Sequence, residues 1–147
     1  MKLSEHFTLD EFCRSATAEL HNIKNNPGTL EVQNMLWGCV NVLEPLRNIL
    51  DEPIIITSGY RCEKLNSLVG GVKGSFHTKG CAADLMVKSA QHAKRIFAAL
   101  QEKHIVKNVD SCLFEHAGNA QWLHVQWAPY INPNRSIFNF NYHVSKK

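Results

Sequence analysis

Ser75-Phe76-His77-Thr78-Lys79-Gly80-Cys81-Ala82-Ala83-Asp84-Leu85-Met86-Val87 is the stretch whose reading decides the fold. Residues 82–87 read as a strand, a short and mostly apolar run, while Gly70-Gly71-Val72-Lys73-Gly74 upstream is a loop that bends sharply before Ser75. His77 and Asp84 are seven positions apart with Gly80 between them, so the chain can leave the loop at His77, turn at the glycine and return along the strand to Asp84. That strand sets Asp84 in or at the edge of a sheet, where an unpaired carboxylate is costly to bury and a bound cation removes the cost.

Upstream, Pro53-Ile54-Ile55-Ile56-Thr57-Ser58 reads as a strand buried on both faces, which ends at Gly59 and delivers Tyr60 and Arg61 to its end. Downstream, Val109 to Glu115 and Gln121 to Trp127 read as a β-hairpin around Ala117-Gly118-Asn119-Ala120. In its second strand Trp122, His124 and Gln126 share one face, and Leu123, Val125 and Trp127 the other.

The remaining segments read as helices. Thr8 and Glu11 form a capping box with Phe7 and Phe12 as a staple, predicting a short helix near residues 8–14. After the turn Asn25-Asn26-Pro27-Gly28, Thr29 caps a longer helix whose core stripe is Val32, Met35, Leu36, Cys39, Val40, Leu43, Leu46 and Leu50, with a kink or break expected near Pro45. One or two helical turns fit Glu63 to Val69. Ser89 caps another helix, with Ala93, Ile96, Phe97 and Leu100 on one face, that ends near Lys103-His104. The tail from Pro129 is rich in Asn and aromatics and either wraps over the domain or frames a groove.

Of the 147 residues 44% are apolar and 20% charged, ordinary globular composition for one domain. The net charge of +3 is mild and its basic residues are scattered, so nucleic acid is not an expected partner. The glycine loop lacks the helix and Lys-Ser or Lys-Thr of a phosphate cradle. No run approaches the ~18 apolar residues of a membrane span, and Met1-Lys2-Leu3-Ser4-Glu5-His6-Phe7 has no signal-peptide pattern. As written, the chain is expected to be made in the cytoplasm and to be a monomer; if it acts outside, something else must release it or carry it. Five cysteines (Cys13, Cys39, Cys62, Cys81, Cys112) without C-x-x-C spacing read as buried free thiols. Cys81 lies between two candidate ligands, and packing beside Ala82 and Ala83 is its expected role.

His77, Asp84 and His124 offer two imidazoles and a carboxylate, the donor set of a hydrolytic zinc site with one position left open. Ser58-Gly59-Tyr60-Arg61, then Ser75-x-His77-x-x-Gly80-x-Ala82-x-Asp84-Leu85, then Trp122-x-His124-Val125 resemble the zinc D-Ala-D-Ala carboxypeptidase family, peptidases of bacterial cell-wall peptides and phage lysins, with the hedgehog signalling domain as a distant fold relative. Leu3 to Glu11 and Pro45-Leu46-Arg47 resemble its small single-domain members, and the likeness runs from about residue 3 to residue 128. It implies an α+β fold, an antiparallel sheet bearing the zinc site with helices packed mainly on one side. It also implies a zinc peptidase domain over 1–128, with 129–147 as a tail that packs on the domain or is partly disordered.

The resemblance further implies one Zn2+ ion held by His77, Asp84 and His124, with Arg61 beside it to polarise the scissile carbonyl or bind a substrate carboxylate. Ser75 would orient a ligand or the loop, and Tyr60 and Trp122 are the candidate substrate-binding aromatics. The implied partner is a peptidoglycan stem peptide, cut as by a D-Ala-D-Ala carboxypeptidase or an L-Ala/D-Glu-type endopeptidase. Better-known members have an acid three positions before the last histidine ligand, where this chain has Gln121. Compact members place an acid at the end of the preceding strand, which assigns general base and acid to Glu115, with His116 and Asp110 in reserve. Gln121 also keeps open a zinc-containing domain that binds cell-wall peptide or protein without turnover, and a cysteine hydrolase using Cys81 is a third alternative.

Overall fold

The computed structural model describes residues 1–131 and 133–141; the expectations for Tyr142 and the rest of the tail lie outside the described residues. Its centre is a five-stranded sheet in the order β1-β2-β4-β3-β5, formed by Ile56–Ser58 (β1), Ala82–Met86 (β2), Ser111–Ala117 (β3), Ala120–Gln126 (β4) and Ile137–Asn139 (β5). The first four pair antiparallel, and β5 runs parallel to β3 at the far edge. The fold is α+β, as the resemblance implied.

The two faces of the sheet differ because strand side chains alternate. Ile56, Ala83, Leu85, Leu123, Val125, Cys112 and Phe114 are buried in the core. That core includes residues of helices α1 (Leu9–Cys13), α3 (Thr29–Gly38), α4 (Glu44–Leu50) and α6 (Ala90–Ala99). Helix α2 (Ala16–Leu20), opened by Ser15 accepting the Ala18 N–H, was not anticipated. Asp84, Leu113, Glu115, Trp122, His124 and Gln126 occupy the opposite face and line a cleft. Since helices cover one face only and β1 is an edge strand, the residues before it are not buried on both sides as expected: Ile54 is buried but Ile55 is 46% exposed.

The Thr8–Glu11 capping box is present, and the flanking Phe7 and Phe12 are both buried. Gly28, not Thr29, is the N-cap of α3, because the Glu31 side chain one turn in accepts the Gly28 N–H at 2.8 Å. Instead of breaking near Pro45, the helix passes through a π turn at Cys39–Leu43 straight into α4. Proline has no N–H for the carbonyl four residues back. The Asn108 side chain donates to that Asn41 carbonyl at 3.3 Å in its place. The wider turn also shifts the helical phase, so Val42 joins the core while Val40, expected inside, is 50% exposed; Leu36, ahead of the turn, is also outside the core at 44% exposed.

Helix α5 covers Glu63–Leu68. Ser89 caps α6, which ends at Ala99 rather than near Lys103; a separate turn, α7 (Lys103–Val106), follows and buries Ile105. The chain then enters the β3–β4 hairpin. Beyond it, Phe138 and Phe140 pack edge-on against Phe97 of α6, and Phe140 also stacks on Phe114 of β3. The described part of the tail therefore lies along the outer edge of the sheet, and none of its residues lines the cleft. No helix among the described residues is long and apolar enough to cross a membrane.

Candidate metal centre

Register brings the three candidate ligands together. Asp84 of β2 pairs directly with His124 of β4. His77 arrives from a single 3-10 turn, Phe76–Lys79, capped by the Ser75 hydroxyl, which accepts the His77 N–H at 3.2 Å. That turn closes at Gly80 with φ +73°, where a Cβ would sit 2.3 Å from the Glu31 carbonyl oxygen, so glycine is required both by backbone hand and by the close approach of α3. The sequence reading placed its turn at this glycine.

His77, Asp84 and His124 are all buried, and one donor atom from each lies within 4.8 Å of the others. Asp84 Oδ1 is 3.3 Å from His77 Nε2 and 3.1 Å from His124 Nδ1. His77 Nδ1 donates to the Gly59 carbonyl at 2.6 Å, which fixes its tautomer and turns the lone pair of Nε2 toward Asp84. Nε2 itself is buried with no hydrogen-bond partner. A buried acceptor left without a partner is costly, and two nitrogens and a carboxylate oxygen facing one another are what a divalent ion of zinc's ligand preference takes. The donor set fits zinc.

The charges agree with this fit at His77 and Asp84, while His124 must give up a proton to a metal. Burial pulls the His77 imidazole below its ordinary pKa, outweighing the neighbouring Asp84 charge, so the ring is neutral as a ligand must be. Burial would raise the Asp84 carboxyl, but the His77 and His124 rings outweigh it and hold Asp84 well below the usual carboxylate range. Burial pushes His124 down as well, and its hydrogen bond to Asp84 more than reverses that, leaving a raised pKa.

Arg61 follows β1 and is 6% exposed. Its guanidinium comes to 3.9 Å from Asp84 Oδ2, and one NH2 group donates to Asn66 Oδ1 at 3.2 Å. Arg61 Nε is buried without a partner. Asn66, whose side-chain amide also donates to the Val72 carbonyl at 2.9 Å, thus ties the arginine to the glycine loop. Gly71 is packed against this clamp so closely that a Cβ would fall 2.1 Å from Asn66 Oδ1.

The cleft, about 390 Å³, is bounded by Arg61, the 70–76 loop, Leu113, Glu115 and Trp122. Glu115 pairs with Trp122 across the hairpin and accepts its indole N–H at 2.8 Å. The register in which Leu113 faces His124 puts Glu115 on the metal side. Gln121 pairs with His116, which stacks on Phe114 toward the other face. Asp110 is buried and its oxygens are taken by Arg135 and Gln126. Tyr60 does not line this cleft; it is 8% exposed and borders a smaller cavity behind Arg61. Cys81 is fully buried, outside the cleft lining, with its thiol pushed up to about 12 by burial, which leaves no thiolate nucleophile there.

Asn66 and the Gly59 carbonyl are parts of the site that the sequence reading did not single out. Gln126 was placed on the His124 face by strand alternation, and its contact with that ring is a structural finding. A family model described as Peptidase M15 matches residues 5–126, more than half of the chain. No curated protein matches it.

Proposed function

This chain belongs to the peptidase M15 family, a metallopeptidase family, and we propose from that premise that it is a zinc enzyme hydrolysing a peptide bond in bacterial peptidoglycan stem peptides. The observation that carries the reading is the buried, partnerless His77 Nε2 facing Asp84 and His124. Bound there, zinc supplies Lewis acidity, lowering the pKa of water toward about 7 and polarising a carbonyl.

The protein's own groups do the rest. Arg61, held by Asn66 with its Nε still to be satisfied, offers hydrogen bonds and charge to a carbonyl oxygen or a substrate carboxylate. Glu115, on the metal side of the hairpin, takes and returns the proton. The Trp122 indole orients that carboxylate and forms part of the wall against which substrate packs. Ser75 holds the turn that presents His77.

Incubating zinc-loaded protein with purified muropeptides and reading the products by mass spectrometry tests turnover and names the bond cut. His124→Ala should lose both zinc retention and cleavage; undiminished cleavage by that variant refutes the proposal. Gln121 in place of the usual acid favours a second reading, a zinc-containing domain that binds wall peptide without turnover. Stoichiometric zinc with no product from any stem peptide would select it.

A further inference from the structure

His124 has a second contact, on the side away from Asp84. Its Nε2 lies 2.7 Å from Gln126 Oε1, and Gln126 Nε2 donates to Asp110 Oδ2 at 2.9 Å. Asp110 is 1% exposed, and its two oxygens accept Arg135 Nε at 2.8 Å and a terminal Arg135 nitrogen at 2.6 Å. The polarity of this chain of contacts is not free. An ionised carboxylate only accepts, so the Gln126 atom facing Asp110 is the amide nitrogen. The atom facing His124 is then the amide oxygen, which also only accepts. His124 Nε2 must therefore carry the hydrogen, and in a neutral ring the lone pair falls on Nδ1, the nitrogen 3.1 Å from Asp84.

A lone glutamine could flip its amide and reverse this assignment. Here a flip would set the amide oxygen against the Asp110 carboxylate, and Arg135 keeps that carboxylate ionised, its hydrogen bond being the largest cause of the lowered Asp110 pKa. The segment bearing Arg135 is also fastened by backbone bonds that do not use the Asp110 side chain. The Asn134 N–H donates to Lys107, Ser136 to Val109 and Ile137 to Asp110. All of it lies beyond residue 126, where the family match stops.

We propose that Gln126, Asp110 and Arg135 form a positioning relay that commits Nδ1 of His124 to the metal, so that a segment outside the matched family region completes the metal site. The relay rests on the zinc reading above. Gln126 and Asp110 are its buried links; the Arg135 side chain is 58% exposed, so solvent stands in for part of its effect.

The test is zinc affinity by chelator competition, together with proton–nitrogen NMR of the His124 Nε2–H and thermal melts of the metal-free protein. Gln126→Leu should weaken zinc binding by about 10–100-fold, the usual cost of removing a group that orients a ligand, and lose the Nε2–H signal to exchange. Asp110→Asn, which lets the glutamine amide flip, should weaken binding by less. Combining Gln126→Glu with Asp110→Asn reverses donor and acceptor between the two links while leaving an acceptor for His124, and should restore most of the affinity. If Gln126→Leu does not fold, Asp110→Asn and the double variant carry the comparison. A merely structural role would lower the melting temperature while leaving zinc affinity and the Nε2–H signal as in the wild type, and that result overturns the relay. A wild-type chain that binds no zinc refutes the proposed function instead; the His124 signal in the metal-free protein then decides the relay alone.

Discussion

Glu115→Gln is the substitution that most sharply separates a catalyst from a binding site in this cleft. Glutamine has the shape of glutamate and keeps an oxygen to accept the Trp122 indole N–H now 2.8 Å away, so the hairpin and cleft wall stay in place. Glu115 is not among the three donors, so zinc content should stay at the wild-type level. What disappears is the ability to take up and return a proton. General acid–base catalysis contributes about 10²–10⁴-fold, equivalent to about 2.7–5.4 kcal/mol of barrier at 1.36 kcal/mol per decade. Loss of the charge also removes a contribution that raises the Arg61 pKa, an effect that leaves the guanidinium protonated. The assay is the initial rate of stem-peptide cleavage at limiting and saturating substrate, with zinc content and thermal melting on the same samples. We expect kcat to fall through that range with KM little changed, zinc stoichiometric and the melt intact. A fully active, zinc-loaded Gln variant would refute the assignment and return the role of proton carrier to some other group. A loss of activity accompanied by loss of zinc would place Glu115 in metal retention, which the geometry does not support.

Two further outcomes follow from the same geometry. Gly71→Ala drives a methyl to 2.1 Å from Asn66 Oδ1 and 2.9 Å from an Arg61 terminal nitrogen; it should cost about 1–3 kcal/mol in a denaturant melt and lower kcat/KM with zinc content unchanged, and an unaltered kcat/KM would detach Arg61 from substrate. Zinc affinity should fall as pH falls: with the folded His124 pKa raised above its ordinary value, protons compete with metal at all pH below that pKa, by about tenfold per pH unit for one proton displaced, and a zinc titration that is flat through this range would show that His124 is not a ligand.

The strands β1 to β4 and the three candidate ligands were legible because each rests on a local pattern. Alternation fixed which side of β4 bears His124, and Gly80 marked the turn that lets one short segment present both His77 and Asp84. The expected helical stripe failed at Val40 because it assumed an unbroken period, and a π turn ahead of Pro45 shifts that phase without any local sequence mark. Asn66 was not singled out, Gln126 was placed on the His124 face without a role and Asp110 was held only as a reserve acid, because their partners are distant in sequence or separated by a turn. A buried amide has no signature until the chain around it is folded. The parallel pairing of β5 with β3 is illegible for a similar reason: its bonds depend on where the chain returns after Pro129.

Why the ligand triad is reproducible on folding follows from the sheet rather than from the ligands. Ala83, Leu85, Leu123 and Val125 are fully buried on the helix side of β2 and β4, and Asp84 and His124 alternate with them on the other side. A slip of one residue in this ladder would turn the aliphatic set out toward the cleft and drive Asp84 among the helices. Burying several aliphatic side chains is worth about 1.5–3 kcal/mol each, and burying an unpaired carboxylate in the core costs several more, so the slipped register is strongly disfavoured. The hydrophobic face thereby sets the chemical one. The two strand ligands need no attraction for a metal in order to meet, and the ion finds Asp84 and His124 already side by side, leaving to the Gly80 turn only the placement of His77.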